Sequence, residues 1–115
     1  MTTVKLSKNL QNPRGVYSIP VTPFHENGKL DLDSLRKCIE FCLEKGAHGI
    51  VMPVNASEVS TLTDEERTQV IKEGVKSVNG SVHFVAGVTG NSIEQVKESV
   101  KIVEDLGVDS IINMP

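Results

Sequence analysis

Val54-Asn55-Ala56-Ser57-Glu58 is the run whose residue types and spacing are best suited to chemistry in this chain. Asn55 and Ser57 bring an amide and a hydroxyl, and Ala56 leaves the main chain uncovered. The free backbone N–H groups of such a stretch can hold a carboxylate or a phosphate. Glu58 offers a general base or, the reading favoured here, a carboxylate that bonds the loop backbone in place. Thr22, in Val21-Thr22-Pro23, can orient a ligand or simply tie off its own turn. A loop that does no more than join two elements is the plain alternative for the whole run.

Other polar residues carry less. An isolated His25 in the first loop reads as solvated, His48 enters a strand from its amino end, and His83 lies within a strand and reads as packed. Cys38 and Cys42 are the only cysteines, four apart on one helix. With no His or further Cys beside them they read as small core residues rather than half of a metal site. Gly87 and Gly90 mark either close backbone approach or turn geometry, and Gly87-Val88-Thr89-Gly90 has neither the spacing nor the lysine of a phosphate loop.

An alternation of strand and helix signals must position these residues. Residues 15–21 form a first strand candidate, broken by Pro20 and closed by Pro23, and Asn27-Gly28 is a strong turn signal. Asp31 can cap a helix over 32–45, with Leu35, Cys38, Ile39, Cys42 and Leu43 at helical spacing and Gly46 as its stop. The apolar run 49–52 suits a strand buried on both faces, and Pro53 ends it because proline offers no N–H to a ladder. Thr63 with Glu66 makes a capping box for a helix over 64–78 with Val70, Ile71, Val75 and Val78 inward. A third strand over 82–86 follows. Ser92 with Gln95 then makes a second capping box, for a helix that buries Ile93, Val96, Val100 and Val103 and stops at Gly107; a fourth strand runs over 110–114.

Units of this length, joined by right-handed crossovers, put parallel strands side by side in chain order. The fold class expected is α/β, the amino-terminal half, about four βα units, of a TIM (β/α)8 barrel, since a full barrel needs eight strands and typically ~250 residues. Residues 1–14 read as a polar tail and 15–115 as a partial barrel domain truncated after its fourth strand.

Composition narrows the function class. A net charge of −3 leaves no basic footprint for nucleic acid, and 3 Phe, 1 Tyr and no Trp leave few surfaces on which bases could stack. No apolar stretch approaches the ~20 residues of a membrane span, and residues 1–11 lack the apolar core of a signal peptide, so no membrane association and a cytoplasmic address are expected.

Several ordered pieces together carry a family resemblance. They are Gly15 with Val21-Thr22-Pro23-Phe24, the Asn27-Gly28-Lys29-Leu30-Asp31 turn, Gly46-Ala47-His48-Gly49-Ile50, Glu58 with Thr61-Leu62-Thr63-Asp64-Glu65-Glu66-Arg67, Ala86-Gly87-Val88 and Leu106-Gly107-Val108-Asp109. This set resembles the opening half of the dihydrodipicolinate synthase and N-acetylneuraminate lyase family. The resemblance implies a TIM barrel and a Schiff-base lyase or aldolase, in which a lysine amine attacks the ketone of pyruvate or a related 2-oxo acid. It implies a small-molecule 2-oxo acid as partner, a homo-oligomer, and no cofactor.

In that family the loop after the second strand usually reads Gly-Thr-Thr-Gly-Glu, or Ser for one Thr, and holds the carboxylate of the 2-oxo acid. Here only Glu58 matches; Asn55 stands for the first threonine and Ala56 has lost the hydroxyl of the second. Binding would rest on the backbone amides of Ala56 and Ser57, on the Ser57 hydroxyl, on the Asn55 amide and on Thr22. The departure makes a sugar-acid aldolase or dehydratase at least as plausible as the synthase. The family's tyrosine follows the fourth strand and its lysine lies on the sixth, both beyond Pro115. None of the nine lysines falls on an expected strand, and Tyr17, the single tyrosine, is on the first. The 115 residues are therefore expected to bind substrate without catalysing its turnover. A non-catalytic half-barrel that binds a small carboxylate or associates with itself is the alternative from another class; a flavodoxin-like protein is disfavoured because Thr22-Pro23-Phe24-His25 is no phosphate loop.

Overall fold

In the computed structural model, which describes residues 12–115, four strands alternate with three helices. They are β1 (Tyr17–Ser18), α1 (Leu32–Glu44), β2 (Gly49–Met52), α2 (Asp64–Val78), β3 (His83–Gly87), α3 (Ile93–Glu104) and β4 (Ser110–Ile112). Most of the expected tail, residues 1–11, lies outside the described residues.

Local chemistry starts each helix. The Asp31 carboxylate accepts from the backbone N–H of Ser34 at 3.0 Å and from its hydroxyl at 2.7 Å, occupying an N–H that α1 leaves unpaired. The Thr63 hydroxyl accepts from the Glu66 N–H at 3.1 Å while Glu66 accepts from the Thr63 N–H at 2.9 Å, so both halves of the capping box form. At α3 only one half is made: Ser92 accepts from the Gln95 N–H, but Gln95 accepts from the Asn91 N–H rather than from Ser92. Asn79 ends α2 in the left-handed conformation, with φ 49°.

The sheet is parallel throughout and runs β1-β2-β3-β4. Tyr17 pairs with Gly49, Gly49 with His83, and Val85 with Ser110. Parallel strands cannot be joined by a tight turn, so each connection crosses back as a helix on one face. On that face Ile50, Met52, Phe84 and Ala86 pack against Leu35 and Ile39 of α1, Val70, Ile71 and Val78 of α2, and Val103 of α3. The opposite face, the concave side of the half-barrel, gathers Val51, Val54 and Val85 with Tyr17 and Met114. Every residue of β2 and β3 is buried, which accounts for the apolar run of β2 and of residues 84–87 in β3; His83 is the buried polar residue that opens β3.

The structure corrects several sequence expectations, among them the fourth strand, which ends at Ile112 rather than at residue 114. The first strand is two residues rather than seven, because the chain leaves the ladder before Pro20, which has no N–H to give it. The third strand sits one residue later than expected. Ile93 is 70% exposed, so α3 turns only Val103 fully inward, with Val96 and Val100 partly covered. Apolar spacing cannot tell a core contact from a face that lacks a neighbour.

A Cβ on Gly74 would lie 2.6 Å from Phe84 Cε1 and 3.3 Å from Met52 Sδ, so glycine is what lets α2 sit down on β2 and β3. In a Gly74→Ala variant, overpacking of about 1–3 kcal/mol should exceed the ~1 kcal/mol gained in helix propensity. Urea unfolding is expected to show a lower midpoint with an unchanged slope. Asp31 has its carboxyl held below its ordinary value of 3.8, chiefly by the Ser34 hydroxyl and then by the Ser34 N–H. A lowered folded-state value means this cap contributes stability above the unfolded-state value and loses it as pH falls through the folded-state value. An Asp31→Ala variant should therefore melt below the parent at pH 7, with the difference closing in acid.

Candidate functional site

The carboxyl ends of the strands bring the candidate residues to one place. Leaving β2, the Met52–Pro53 peptide is cis and Pro53 is buried. The Pro53 carbonyl stands where a Cβ of Gly87, at the end of β3, would be, so only glycine allows this approach. Of the two readings of Gly87, close approach is the one observed.

Beyond Pro53 the loop folds into two short 3-10 turns, Asn55–Ser57 and Val59–Thr61, with a left-handed corner at Glu58 between them. The Ser57 N–H donates to the Val54 carbonyl at 2.9 Å, and the Glu58 N–H donates to the Asn55 carbonyl at 2.9 Å. Val54 and Val59 are buried beneath the loop, while Asn55 and Ala56 are exposed at its crest. Among the described residues the amides of Asn55 and Ala56 have no protein acceptor.

The hydroxyls turn inward. Thr22 Oγ1 donates to the Ser57 carbonyl at 2.6 Å, and Ser57 Oγ donates to the Pro20 carbonyl at 2.9 Å. Thr22 is 3% exposed and Ser57 0%. The structure therefore brings Thr22 and Ser57 together but commits both hydroxyl protons, and the Ser57 amide, to the protein. Glu58 also differs from expectation. Its carboxylate is exposed and makes no hydrogen bond among the described residues; its backbone does the structuring, with its carbonyl accepting from the N–H and hydroxyl of Thr61. Arg67 Nη1 donates to the Thr89 carbonyl at 2.7 Å, tying α2 to the loop after β3.

A cleft of about 340 Å³ opens between these loops and helices, lined by Asn55, Ser60, Asp64, Arg67, Asn91 and Gln95 among others. Of the five residues expected at the site, only Asn55 lines it. Thr22 and Ser57 are tied instead to each other and to Pro20 after the first strand, so this cleft and the carboxylate loop share Asn55 without coinciding.

The histidines lie elsewhere. His25 Nδ1 is 3.7 Å from Asp31 Oδ2 in the exposed first loop. His48 Nδ1 accepts from the Val16 N–H at 2.9 Å at the amino end of β2. His83 is buried on the concave face, 2.7 Å from the Tyr17 hydroxyl through Nδ1 and 2.7 Å from Ser110 Oγ through Nε2. The Tyr17 ring reaches it across β2, where a Cβ on Gly49 would lie 2.5 Å from the ring. Burial, with a lesser effect of the Asp109 carboxylate, raises the Tyr17 phenol above its ordinary value of 10.0. This cross-strand chain had no sequence signal, because its members are 66 and 27 residues apart. Among the described residues no cluster of three or more His, Cys, Asp or Glu could hold a metal ion. No described helix is long and apolar enough to cross a membrane.

The model of the dihydrodipicolinate synthetase family matches residues 12–115. The chain belongs to this family. A 4-hydroxy-tetrahydrodipicolinate synthase of Methanococcus maripaludis strain C5 is 39% identical over 99 residues, covering 86% of this chain and 34% of the relative. Its counterpart from Cellvibrio japonicus is 39% identical over 92 residues, covering 80% and 32%. The chain thus spans about a third of the length of the curated relatives it matches. Among solved structures, a chloride-inhibited dihydrodipicolinate synthase of Acinetobacter baumannii complexed with pyruvate superposes with a TM-score of 0.85 at 36% identity, over 89% of this chain and 35% of that one. The four-stranded parallel sheet is accordingly a half-barrel of the family's (β/α)8 fold.

Because Pro53 O fills the space above Gly87, a Gly87→Ala variant must displace backbone rather than a mobile side chain. It is expected to lose about 1–3 kcal/mol of stability. Amide resonances should move across residues 54–58, at the far side of the contact, more than in α1.

Proposed function

We propose that this chain supplies the carboxylate-binding part of a lyase or aldolase that acts on pyruvate or a related 2-oxo acid through a lysine Schiff base. The observation that carries the reading is the placement of Val54–Glu58: it follows β2 at the carboxyl end of a family half-barrel, with Asn55 and Ala56 presented outward. The pyruvate complex of the Acinetobacter baumannii relative supports the substrate class. With the Ser57 amide and both hydroxyl protons already engaged, the groups left for a carboxylate are the Asn55 side chain and the amides of Asn55 and Ala56. An asparagine donor and the absent second hydroxyl suit a sugar-acid aldolase or dehydratase as well as the synthase.

The nucleophile is expected outside these residues. A Schiff base needs an unprotonated amine, and a solvated lysine with a pKa near ~10.4 is almost wholly protonated at neutral pH. Each lysine among the described residues lies in the first loop or on or just after a helix, and none is on a strand. The lysine and tyrosine of the family are placed by this reading beyond Pro115.

A cytoplasmic homo-oligomer completes the proposal. Ile111 and Ile112 of β4 and Ile19 and Val21 after β1 are 40–55% exposed at the two open edges of the sheet, edges that further strands of the eight-stranded family barrel or a second copy would cover.

Incubating the chain with pyruvate and borohydride tests the assignment of the nucleophile. The intact mass should stay that of the unmodified chain; a stable adduct on one lysine would place the chemistry within these residues. A pyruvate titration followed by amide resonances should move Asn55 and Ala56 first, and unmoved resonances there would end the carboxylate reading.

A further inference from the structure

We infer that Thr22 and Ser57 form a two-bond latch that positions the Asn55–Glu58 corner, and that neither hydroxyl touches substrate. The inference rests on the carboxylate reading for its functional meaning, but its geometry stands without it.

Three observations converge. The two hydrogen bonds hold Ser57 from both sides, one through its carbonyl and one through its side chain, and they reach two different residues of the segment after β1. Both hydroxyls are buried, so water cannot replace either partner and loss of one leaves a carbonyl unsatisfied. The next residue, Glu58, has φ 60° and ψ 42°, a left-handed conformation that costs a non-glycine residue free energy and persists only where neighbours hold it.

The latch explains how a segment outside the ladder can matter to the site. Pro20 and Thr22 lie beyond β1, which ends at Ser18, and with the latch they clamp the loop after β2. Asn55 and Ala56 precede the clamped residue directly, so the direction of their donors follows from where Ser57 is held. Thr22 and Ser57 are in this sense positioning residues.

The test compares Thr22→Val, which keeps the shape and removes the donor, with Thr22→Ser, which keeps the donor, and adds Ser57→Ala, all in the full 115-residue chain. Without ligand, Thr22→Val and Ser57→Ala should move the amide resonances of residues 55–58 and speed hydrogen exchange at the Ser57 N–H, whereas Thr22→Ser should leave both close to the parent. With pyruvate as probe, dissociation constants read from the same resonances should rise about 10-fold in Thr22→Val and Ser57→Ala and stay within about 2-fold in Thr22→Ser. Melting temperatures cannot mimic this pattern, because Thr22→Ser also loses a buried methyl.

If Ser57→Ala weakens pyruvate binding while the ligand-free loop is unmoved, Ser57 is a direct ligand and the latch is refuted. If Thr22→Val leaves the loop unchanged, the latch is equally refuted. Should the parent chain fail to respond to pyruvate, the carboxylate reading falls and the ligand-free comparison alone decides the latch. If Ser57→Ala does not fold, the Thr22 pair carries the decision.

Discussion

Burial of β2 and β3 on both faces is the constraint from which the rest of the structure follows. Neither strand has an exposed residue, so neither alternates buried with solvated side chains and their backbone groups must be paired on both sides. Parallel neighbours satisfy that pairing, and parallel neighbours need crossovers long enough to be helices. The helices then supply the cover that the outer face requires. Gly74 shows how tight that cover is, since α2 approaches β3 at a point where no side chain fits.

The same constraint puts the functional loop where it is. A buried parallel strand cannot turn back on itself, so β2 has to project a loop from its carboxyl end before α2 begins. Pro53 stops the ladder, Gly87 leaves room for the Pro53 carbonyl, and the buried Val54 and Val59 pin both sides of the crest. Thr63 and Glu66 fix the start of α2 with a reciprocal pair of bonds, so the loop is held at both ends by chemistry written into its borders. Asn55 and Ala56 are left facing outward as a consequence of what is buried around them.

The concave face and the sheet edges follow a different rule. Tyr17, His83 and Ser110 satisfy one another across three strands, and Gly49 makes room for the ring that links them. At the margins, among the described residues, β1 and β4 each have one neighbour, and the apolar residues at both edges stay exposed. The helix cover thins in the same direction, since Ile93 on α3 is largely exposed. These features belong to a half-barrel whose family fold has eight strands.

The sequence by itself determined the order of elements, the parallel arrangement, the bounds of β2 and α2 and the start of α1 and α3. It could do so because caps, left-handed stops and doubly buried strands are local: Asp31 and Thr63 meet partners three residues away, and Gly49–Met52 carries its own burial in its composition. It also picked out Asn55 to Glu58 as the loop to watch. Tertiary structure alone decided what the residues of that loop do. Ser57 reads as a donor until Pro20 is brought beside it, Glu58 reads as a carboxylate until its backbone becomes the corner, and Thr22 reads as a local turn until Ser57 arrives from 35 residues away. A hydroxyl has one proton to give, and which acceptor takes it depends on contacts that only the folded sheet creates.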